Sequence, residues 1–590
     1  MEDKKSIREF RIKGGNIILD YIKKFSITEK VIFGVFCIAL IISAISLLFN
    51  INNRFIVQSP TYGGQITEGI IGLPRTINPV LAITDTDKDI TSIIFSGLMK
   101  YTDNGLTTDI AKSYTISEDG LTYDFILKDN IYFQDGIRLT TEDIAFTIQK
   151  IQNPNIKSPK RSDWQNVSVK VISENEIQFI LKQPYSPFLL NTTIGILPKH
   201  LWNNISDEQF IFSENNIKAV GSGPYKINSI NKDSSGIPSS YKLETWSKYY
   251  DNKPFISTIY LNFYTDYSKA LSALNNETID ILGSVLPEDA EKMSDNNTFK
   301  VISVPYSRTF GLFLNQNQSP ALTDLAVRQA LNIAINRQSI VDTVFNKHGL
   351  PLYGPIPFMT NRSAIFDEDT NAKSTSTADL PTNILKAQKI LEKSGWKKNS
   401  TGIYEKKTGK NSTQTLSFNL FTANSEDLKK VAEMVKTSWS ILGVEVNIKV
   451  FEPSDLFQNV IRQRKYDILL FGEMIGKDKD YFAFWHSSQR NAPGLNVSMY
   501  ANSKIDKILE DLRTTQNEKD RDNLINNFSQ IIEDEIPEIF LYTPNYIYIV
   551  NKNIKNINIR SITASSDRWN TISNWYIKTE NVWKIFKKNK

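Results

Sequence analysis

An almost unbroken apolar run from Val31 to Phe49 is the feature that most constrains this chain. At ~1.5 Å per helical residue, the run nearly matches the ~30 Å hydrocarbon core of a bilayer. The thirty or so residues before it are rich in Lys and Arg, whereas Arg54 is the first basic residue after it. This charge asymmetry predicts a transmembrane helix with a cytoplasmic N-terminus and everything after about residue 50 outside the membrane.

Three other interpretations of the run agree less well with its residues. The apolar region of a cleaved signal peptide has ~7–15 residues and ends in small residues, whereas this run ends in Leu47, Leu48 and Phe49. A lipoprotein signal needs a small residue before its cysteine, and here Phe36 precedes Cys37. A buried globular helix would not explain the charge asymmetry. We therefore predict an uncleaved signal anchor in which Cys37 is a small apolar residue of the span.

Length and composition limit the remaining possibilities. The 590 residues exceed what one core accommodates, so two or three lobes are expected. A net charge of +5 is nearly balanced for this length, and no nucleic-acid partner is predicted. Cys37 is the one cysteine, which excludes intrachain disulfides and cysteine-ligated metal clusters. The three histidines have no metal-ligand spacing, so neither a metal site nor a cofactor is predicted.

Hydrophobic periodicity after residue 62 is of two kinds, as in a mixed α/β fold. Apolar residues alternate along strand-like segments at 121–127 and 444–450, a short apolar strand is predicted at 466–471, and 540–550, rich in Tyr and Ile, is also predicted to be a strand. They recur at helical spacing at 327–334, 384–391, 428–442, 505–512 and 524–532, and also after Thr140, which has capping-box spacing to Asp143. Ser425 is a predicted N-cap and Gly443 a predicted C-terminal stop. The polar window Asp367–Ala378 is predicted to be a surface loop.

Several segments, in colinear order over about 63–558, resemble family 5 of the bacterial extracellular solute-binding proteins, the oligopeptide- and dipeptide-binding proteins of ABC importers. The strongest is residues 111–147, with Ser-x-Asp-Gly, a Tyr-x-Phe strand, Phe-x-Asp-Gly and a helix start at Thr-x-Asp. The other segments are GIIGLPRTINP (69–79), SGLMKYT (96–102), GSGPYKI (221–227), VRQALNIAINRQSIV (327–341), AQKILEKSGW (387–396), the helix-strand pair 426–450 and IPEIFLYTPNYIYIVNKNIKNI (536–557).

The resemblance implies a two-lobed α/β clamp, the type II periplasmic-binding-protein or Venus-flytrap fold, with an inserted subdomain. The predicted order begins with a cytoplasmic segment 1–30, the anchor 31–49 and a linker 50–61. Lobe I is discontinuous, the inserted subdomain interrupts it, and lobe II follows. The expected bounds are 62–95, 205–308 and 540–590 for lobe I, 96–204 for the insertion and 309–539 for lobe II.

The chain departs from the family where peptide binders hold the solute termini, just after a strand ending in Gly-Trp. In residues 466–488, Leu470 stands where an Arg is expected, Glu473 replaces the Trp, and Gly476 stands where the acidic residue is expected. Glu473, Asp478 or Asp480 could replace the missing acid, or could be solvated loop charges. Because a buried ammonium needs a counter-charge, we nominate Glu473 as the anchor. The predicted cleft residues are Gly69, Ile70, Gly72, Tyr306, Phe310, Asn315, Gly472, Glu473, Met474, Asp478, Asp480 and Trp485.

The expected function is that of a membrane-anchored, extracytoplasmic solute-binding component of an ABC importer, and not of an enzyme. Its expected partners are a peptide or similar small solute, the permease subunits with their ATPases, and the plasma membrane through 31–49. Two alternatives stay open: a membrane-anchored solute-sensing receptor, and a binder of a non-peptide solute such as an oligosaccharide. Trp485 and Trp246 could stack on a ligand or pack in a core.

The charge asymmetry around 31–49 predicts that protease added to cells with an opened envelope but an intact plasma membrane digests residues 60–590. A cytoplasmic marker protein in the same cells should stay intact. Immunoblotting for the C-terminal domain measures the result. If that domain persists while an extracytoplasmic control protein is degraded, the predicted orientation is wrong.

Overall fold

A computed structural model describes residues 24–102, 105–356 and 380–583. Most of the predicted cytoplasmic segment 1–30 and all of the predicted loop Asp367–Ala378 lie outside the described residues.

The helices, numbered in chain order, are α1 (Ile27–Phe55), α2 (Asp85–Ile94), α3 (Thr141–Gln152), α4 (Arg161–Trp164), α5 (Phe188–Asn191), α6 (Lys199–Trp202), α7 (Asp207–Phe210), α8 (Tyr267–Asn275), α9 (Pro287–Lys292), α10 (Leu325–Ile333), α11 (Arg337–Val344), α12 (Leu380–Lys393), α13 (Glu426–Leu442), α14 (Pro453–Asp455), α15 (Phe482–Trp485), α16 (Ser503–Thr514) and α17 (Glu518–Glu535). A 3-10 helix, Ser565–Asn574, lies near the C-terminus. Shorter 3-10 turns are Glu214–Asn216, Pro320–Thr323 and Ser487–Gln489, and Leu456–Ile461 is a π-helix.

The strands are β1 (Ile56–Pro60), β2 (Gln65–Ile71), β3 (Met99–Thr102), β4 (Gly105–Thr108), β5 (Ala111–Ile116), β6 (Thr122–Leu127), β7 (Val167–Ser173), β8 (Glu176–Leu181), β9 (Tyr225–Lys232), β10 (Pro238–Thr245), β11 (Thr258–Tyr264), β12 (Ile281–Gly283), β13 (Phe299–Pro305), β14 (Arg308–Leu314), β15 (Gly349–Pro351), β16 (Lys397–Lys398), β17 (Tyr404–Lys407), β18 (Thr413–Thr415), β19 (Ser417–Ala423), β20 (Glu445–Phe451), β21 (Ile468–Met474), β22 (Glu538–Asn551) and β23 (Thr579–Trp583).

Helix α1, with β1 and β23, forms a compact unit separate from residues 62–577. Ser26 begins the helix in a capping box, in which its backbone N–H donates to the Glu29 carboxylate over 2.8 Å. Among the described residues, α1 is the one helix that is long and apolar enough to cross a membrane, over Ile27–Asn52. Strands β1 and β23 pair antiparallel, from Ile56 opposite Trp583 to Pro60 opposite Thr579.

A large mixed sheet organises residues 62–577. Its strand order is β20-β19-β21-β14-β22-β12-β2-β11-β10-β9, with β13 and β15 also paired to β22. The first half of β22 bonds to β14, with Tyr542 opposite Phe310. Its second half bonds to β13, with Asn545 opposite Pro305 and Asn551 opposite Phe299. One strand of 14 residues therefore belongs to both halves of the sheet.

Two hydrophobic cores lie on either side of the point where β22 passes from one half of the sheet to the other. The first core draws its buried residues from Ile66 to Val304 and again from Tyr546 to Trp575. It includes the separate four-stranded sheet β5-β6-β8-β7 and the apolar face of α3. The second core draws its buried residues from Leu312 to Tyr542. A smaller hydrophobic cluster is built from α15, α16 and α17. It also includes Phe540 of β22, whose ring packs against Trp485 of α15.

The chain passes between the two cores twice, and the two crossing segments are bonded to each other. The Tyr306 N–H donates to the Pro544 carbonyl over 3.0 Å. The Thr543 hydroxyl donates to the Tyr306 carbonyl over 2.7 Å. Two adjacent crossings of this kind are the usual form of a hinge, because a few φ/ψ changes there move one side relative to the other.

The helices and strands predicted from periodicity are confirmed, and so is the mixed α/β class. Thr140 and Asp143 form the capping box at the start of α3. Gly443 ends α13 with φ of 107°, a left-handed conformation that favours glycine. The predicted strand 466–471 is displaced, since β21 runs from Ile468 to Met474. Pairing with β14 continues as far as Met474 opposite Arg308, which extends the strand beyond its apolar run.

A buried ion network fixes the C-terminal 3-10 helix to the first core. The Arg568 guanidinium, 2% exposed, donates to both oxygens of Asp89 over 2.7 and 2.8 Å and lies 2.6 Å from Glu68. The Tyr548 hydroxyl donates to Glu68 over 3.0 Å. Burial raises the pKa of Glu68 to about 7, against the opposing effect of Arg568. One guanidinium thus holds two carboxylates from β2 and α2.

Replacing this guanidinium should destabilise the protein strongly. Arg568→Met leaves two buried carboxylates without a counter-charge, and breaking such an arrangement costs ~3–5 kcal/mol. Urea unfolding of the full chain in detergent measures the loss. Arg560→Met, an exposed position in the same segment, is the matched control, expected within ~0.5 kcal/mol of the parent. Equal losses in the two variants would contradict the assigned role of Arg568.

Candidate functional site

A cavity of about 320 Å³ lies between the first core and the α15–α17 cluster. Its volume is at the lower end of the range for small-ligand pockets. The described lining residues come from six separate parts of the chain: Tyr101 and Thr102; Ser307; Ile356; Ile475, Gly476, Lys477, Lys479 and Tyr481; Asp522 and Ile525; Asn558, Ile559, Arg560, Ser561, Thr563, Asp567, Asn570 and Thr571.

One wall of the cavity is the C-terminal segment 558–571. It is held against the crossing region, because the Ser307 N–H donates to the Ile562 carbonyl over 2.9 Å. The 3-10 helix that follows is fixed through Arg568. Asp567, in the first turn of this helix, accepts the N–H groups of Thr563 and Ala564 over 2.8 and 3.0 Å. This wall is therefore rigid at the carboxylate that faces the cavity.

The opposite wall is the loop after β21. Its ends are buried: Ile475 is 6% exposed, and Tyr481 packs against Phe528 with 5.0 Å between ring centroids. Between them Gly476 and Lys479 are exposed and Lys477 is half-buried. The side chains in the middle of the loop thus face the cavity while its ends belong to the core.

An ion pair joins the two walls. The Lys477 ammonium lies 2.5 Å from the Asp567 carboxylate, and the side chains are 22% and 13% exposed. The same ammonium lies 4.3 Å from the ring centroid of Tyr101, a cation–π distance. Burial raises the pKa of the Tyr101 phenol, and the nearby Asp567 charge raises it further. Three separate segments therefore meet at one polar corner of the cavity.

Two further cations line the cavity. The side chains of Lys479 and Arg560 are exposed, and neither forms a hydrogen bond or ion pair with another residue in the described ranges. Among the described lining residues, Asp522 is the one carboxylate besides Asp567. The described part of the lining thus carries three cations and two carboxylates, an excess of positive charge.

The nominated anchor, Glu473, lies beside this cavity rather than in its lining. It is 5% exposed, on β21 opposite Thr309, and lies close to the buried Glu538 of β22. Burial raises the pKa of Glu473 to about 8. Burial raises the pKa of Glu538 well above its usual value, and the charge of Glu473 raises it further. No cation is bonded to either carboxylate within the described residues, so this is a buried acid pair.

The two aspartates of the same loop also have partners in the protein. The Asp480 carboxylate accepts from Arg513 of α16 through three contacts of 2.7–3.1 Å. The pKa of Asp478 is raised, chiefly by burial. Trp485 is 1% exposed and packs against Phe540 and Tyr500. Among the loop residues nominated from the sequence, Met474 is the most exposed at 51%.

The remaining nominated residues lie in the sheet and at the crossings. Gly69 and Ile70 lie in β2, between β11 and β12. Gly72 follows that strand with φ of 113°. The Tyr306 ring lies under the Arg308 guanidinium, and Phe310 stacks on Tyr542 at 5.0 Å. Asn315 is buried after β14, where its side chain bonds to the Arg464 carbonyl, and Gly472 contacts the Phe310 ring.

None of the twelve nominated residues is part of the described cavity lining. Met474, Asp478 and Asp480 are nevertheless next in sequence to lining residues. Their assignment as ligand-binding residues stays a prediction. Lys477, Asp567, Tyr101 and Arg560 line the cavity and were not identified from the sequence. The run Lys477-Asp478-Lys479-Asp480 marked the loop as polar, but nothing in the sequence connected it with residue 567. In the described ranges no group of three or more His, Cys, Asp or Glu is placed to hold a metal.

The model of the family described as bacterial extracellular solute-binding proteins, family 5, matches residues 105–493. The oligopeptide-binding protein AppA of Bacillus subtilis is 28% identical over 508 residues, covering 84% of this chain and 89% of that protein.

Solved structures give the same result. AppA of Bacillus subtilis in complex with a nonapeptide is 25% identical, with a TM-score of 0.63 over 88% of this chain and 100% of that chain. NikZ of Campylobacter jejuni in complex with Ni(L-His) is 25% identical, with a TM-score of 0.65 over 87% of this chain and 99% of that chain. The predicted two-lobed binding-protein fold and the predicted family are confirmed.

The buried acid pair predicts a distinct pH dependence of stability. Since burial raises the folded-state pKa of Glu473 above its unfolded value, the folded protein retains a proton that the unfolded chain releases between pH ~4.5 and ~8. The free energy of unfolding therefore falls as pH rises through this range, by up to ~1.4 kcal/mol per pH unit from this one group. Glu473→Gln mimics the protonated acid, so its stability relative to the parent should increase from pH 5 to pH 8. Urea unfolding at both pH values measures it, with exposed Glu118→Gln as the control.

The same variant decides the role of Glu473 in binding. If Glu473 anchors a solute ammonium, as nominated from the sequence, Glu473→Gln should lower affinity for a copurified solute at least about a hundredfold. A change below about threefold by calorimetry, together with the altered pH dependence, would leave Glu473 a buried structural acid. An unchanged pH dependence would contradict the buried pair.

Proposed function

This chain belongs to family 5 of the bacterial extracellular solute-binding proteins, the substrate-binding proteins of ABC importers, and we propose that it captures a small peptide in the cavity between its first core and the α15–α17 cluster. The observation that carries the proposal is the position of the cavity. Its walls come from the first core and from the α15–α17 cluster, and the bonded crossings of the chain lie beside it.

Closure around the solute follows from this arrangement. A solute that contacts both walls stabilises the state in which the walls are close, because only that state provides both sets of contacts. We propose that the moving parts are the lobes 62–95, 205–308 and 540–577 on one side and 309–539 on the other, with 96–204 inserted in the first; residues 578–583, expected in the first lobe, belong instead to the unit that contains α1. The first core, which combines the lobe I segments with the insertion, and the second core, drawn from 312–542, support this division.

A short peptide fits the chemistry of the lining. Lys479 and Arg560 offer cations to a carboxylate, and Asp522 and Asp567 offer carboxylates to an ammonium. The hydroxyl groups of Ser307, Ser561 and Thr563 and the amide of Asn570 can bond to peptide groups, directly or through water. The nonapeptide bound by AppA of Bacillus subtilis supports a peptide as the class of solute.

We also propose that the protein binds and does not catalyse. Family members are binding proteins, and the described lining contains hydroxyl groups but neither histidine nor cysteine to activate or replace them. The solute would pass unchanged to a permease and its ATPases.

Helix α1 is the proposed anchor. Its candidate span, Ile27–Asn52, has 26 residues, contains the apolar run Val31–Phe49, and fits a single crossing of the plasma membrane. With the N-terminus in the cytoplasm, the binding domain is held outside the cell membrane, beside the permease that it would supply.

Solute capture can be tested with the full chain in detergent. The protein is mixed with a peptide digest, washed, denatured and analysed by mass spectrometry for released peptides. Ser561→Trp, which fills the cavity from an exposed lining position, should reduce capture at least about tenfold, equivalent to ~1.4 kcal/mol. Ser162→Trp, exposed on α4 in the insertion, should capture as much as the parent.

Equal capture by the two tryptophan variants would place the solute elsewhere. No capture of any peptide by the parent would contradict a peptide as the class of solute. Release of shortened peptides by the purified parent, abolished by one substitution in the cavity, would contradict the non-catalytic role.

A further inference from the structure

The ion pair across the cavity has two unlike members. Asp567 is fixed, since one carboxylate oxygen accepts two backbone N–H groups and its helix is held by the buried Arg568. Lys477 lies in the middle of a loop, on a long flexible side chain that ends at the Asp567 carboxylate. A fixed acceptor thus faces a cation that can leave.

The surroundings of the Lys477 ammonium are those of a binding site for primary ammonium groups. A carboxylate at 2.5 Å supplies the counter-charge. The face of the Tyr101 ring at 4.3 Å supplies a cation–π contact, and such contacts strengthen when solvent is partly excluded. Both Asp567 and Tyr101 line the cavity, so a solute ammonium in the cavity can reach the same two groups.

We propose that Asp567 and Tyr101 form the cation subsite of the cavity and that Lys477 occupies it until a solute ammonium replaces it. This inference rests on the proposed function, since it requires that solute enters the cavity. The exchange keeps the charge of the corner constant, because one ammonium leaves as another arrives. The partly buried Asp567 carboxylate has a cationic partner in both states, which lowers the cost of keeping an acid in an empty cleft.

The displaced lysine has a second consequence. Once Lys477 leaves Asp567, its charge joins those of Lys479 and Arg560 along the same lining. When the ammonium of a solute is bound to Asp567, these three cations are available to bind the carboxylate at its other end. The arrangement therefore selects solutes that carry both a free ammonium and a carboxylate.

The test compares capture of two pools by the full chain in detergent. One pool is a peptide digest, and the other is the same digest after its amino groups have been acetylated. Asp567→Asn keeps the oxygen that accepts the Thr563 and Ala564 N–H groups but loses the charge. Lys477→Met keeps an unbranched side chain of similar size but has no ammonium to compete for Asp567.

The two variants should act in opposite directions on the unmodified pool. Asp567→Asn should lower its capture at least about tenfold, because a charged partner of the ammonium is lost. Lys477→Met should raise it about three- to tenfold, because the competing group is gone. Neither should change capture of the acetylated pool by a comparable factor. Lys410→Met, at an exposed lysine outside the cavity lining, should leave capture of both pools as in the parent.

Three outcomes would overturn the inference. Equal effects of both variants on both pools would show an ion pair that merely supports the fold. Loss of capture in both variants would show that the pair must stay intact for binding. Equal capture of the two pools by the parent would show that no ammonium is recognised. Failure of the parent to capture either pool would remove the proposed function itself, which distinguishes that failure from the others.

Discussion

The structure depends on one strand, β22, that belongs to both halves of the large sheet. Strand β22 pairs with β14 along its first half and with β13 along its second, so the backbone hydrogen bonds of both halves of the sheet continue through it. The other crossing, at Tyr306, bonds to the same strand at Thr543 and Pro544. Because these are the segments where the chain passes from one core to the other, the distance between the cavity walls is set by a few residues.

Two sets of ionic contacts at the cavity walls differ in burial and therefore in role. Arg568, Glu68 and Asp89 are buried, so their interaction is costly to break and keeps the C-terminal wall rigid. Lys477 and Asp567 are partly exposed, so their interaction is weaker and can be exchanged. A rigid network beneath a replaceable pair places a fixed carboxylate in a cleft without leaving it unpaired. This difference in burial underlies the proposed recognition of an ammonium group.

Local sequence patterns were sufficient for the elements and the family but not for the site. The capping box at Thr140 and the stop at Gly443 are short-range signals, and both are found where they were predicted. Glu473 was nominated because a buried ammonium needs a counter-charge and Gly476 stands where the family has its acidic residue. Continued pairing of β21 with β14 instead turns its side chain toward Thr309 and Glu538, while Met474 next to it is exposed. Lys477 and Asp567 are 90 residues apart, and only the fold brings them together.

Hydrogen exchange measured by mass spectrometry on the full chain, with and without a captured peptide pool, tests the central claim most directly. Amides in a segment that becomes ordered by contact exchange more slowly. The account predicts slower exchange in both walls, 475–481 and 558–571, when peptide is bound, and unchanged exchange in the four-stranded sheet β5-β6-β8-β7. Protection of one wall alone, or of neither while peptide is bound, would contradict capture between the two walls.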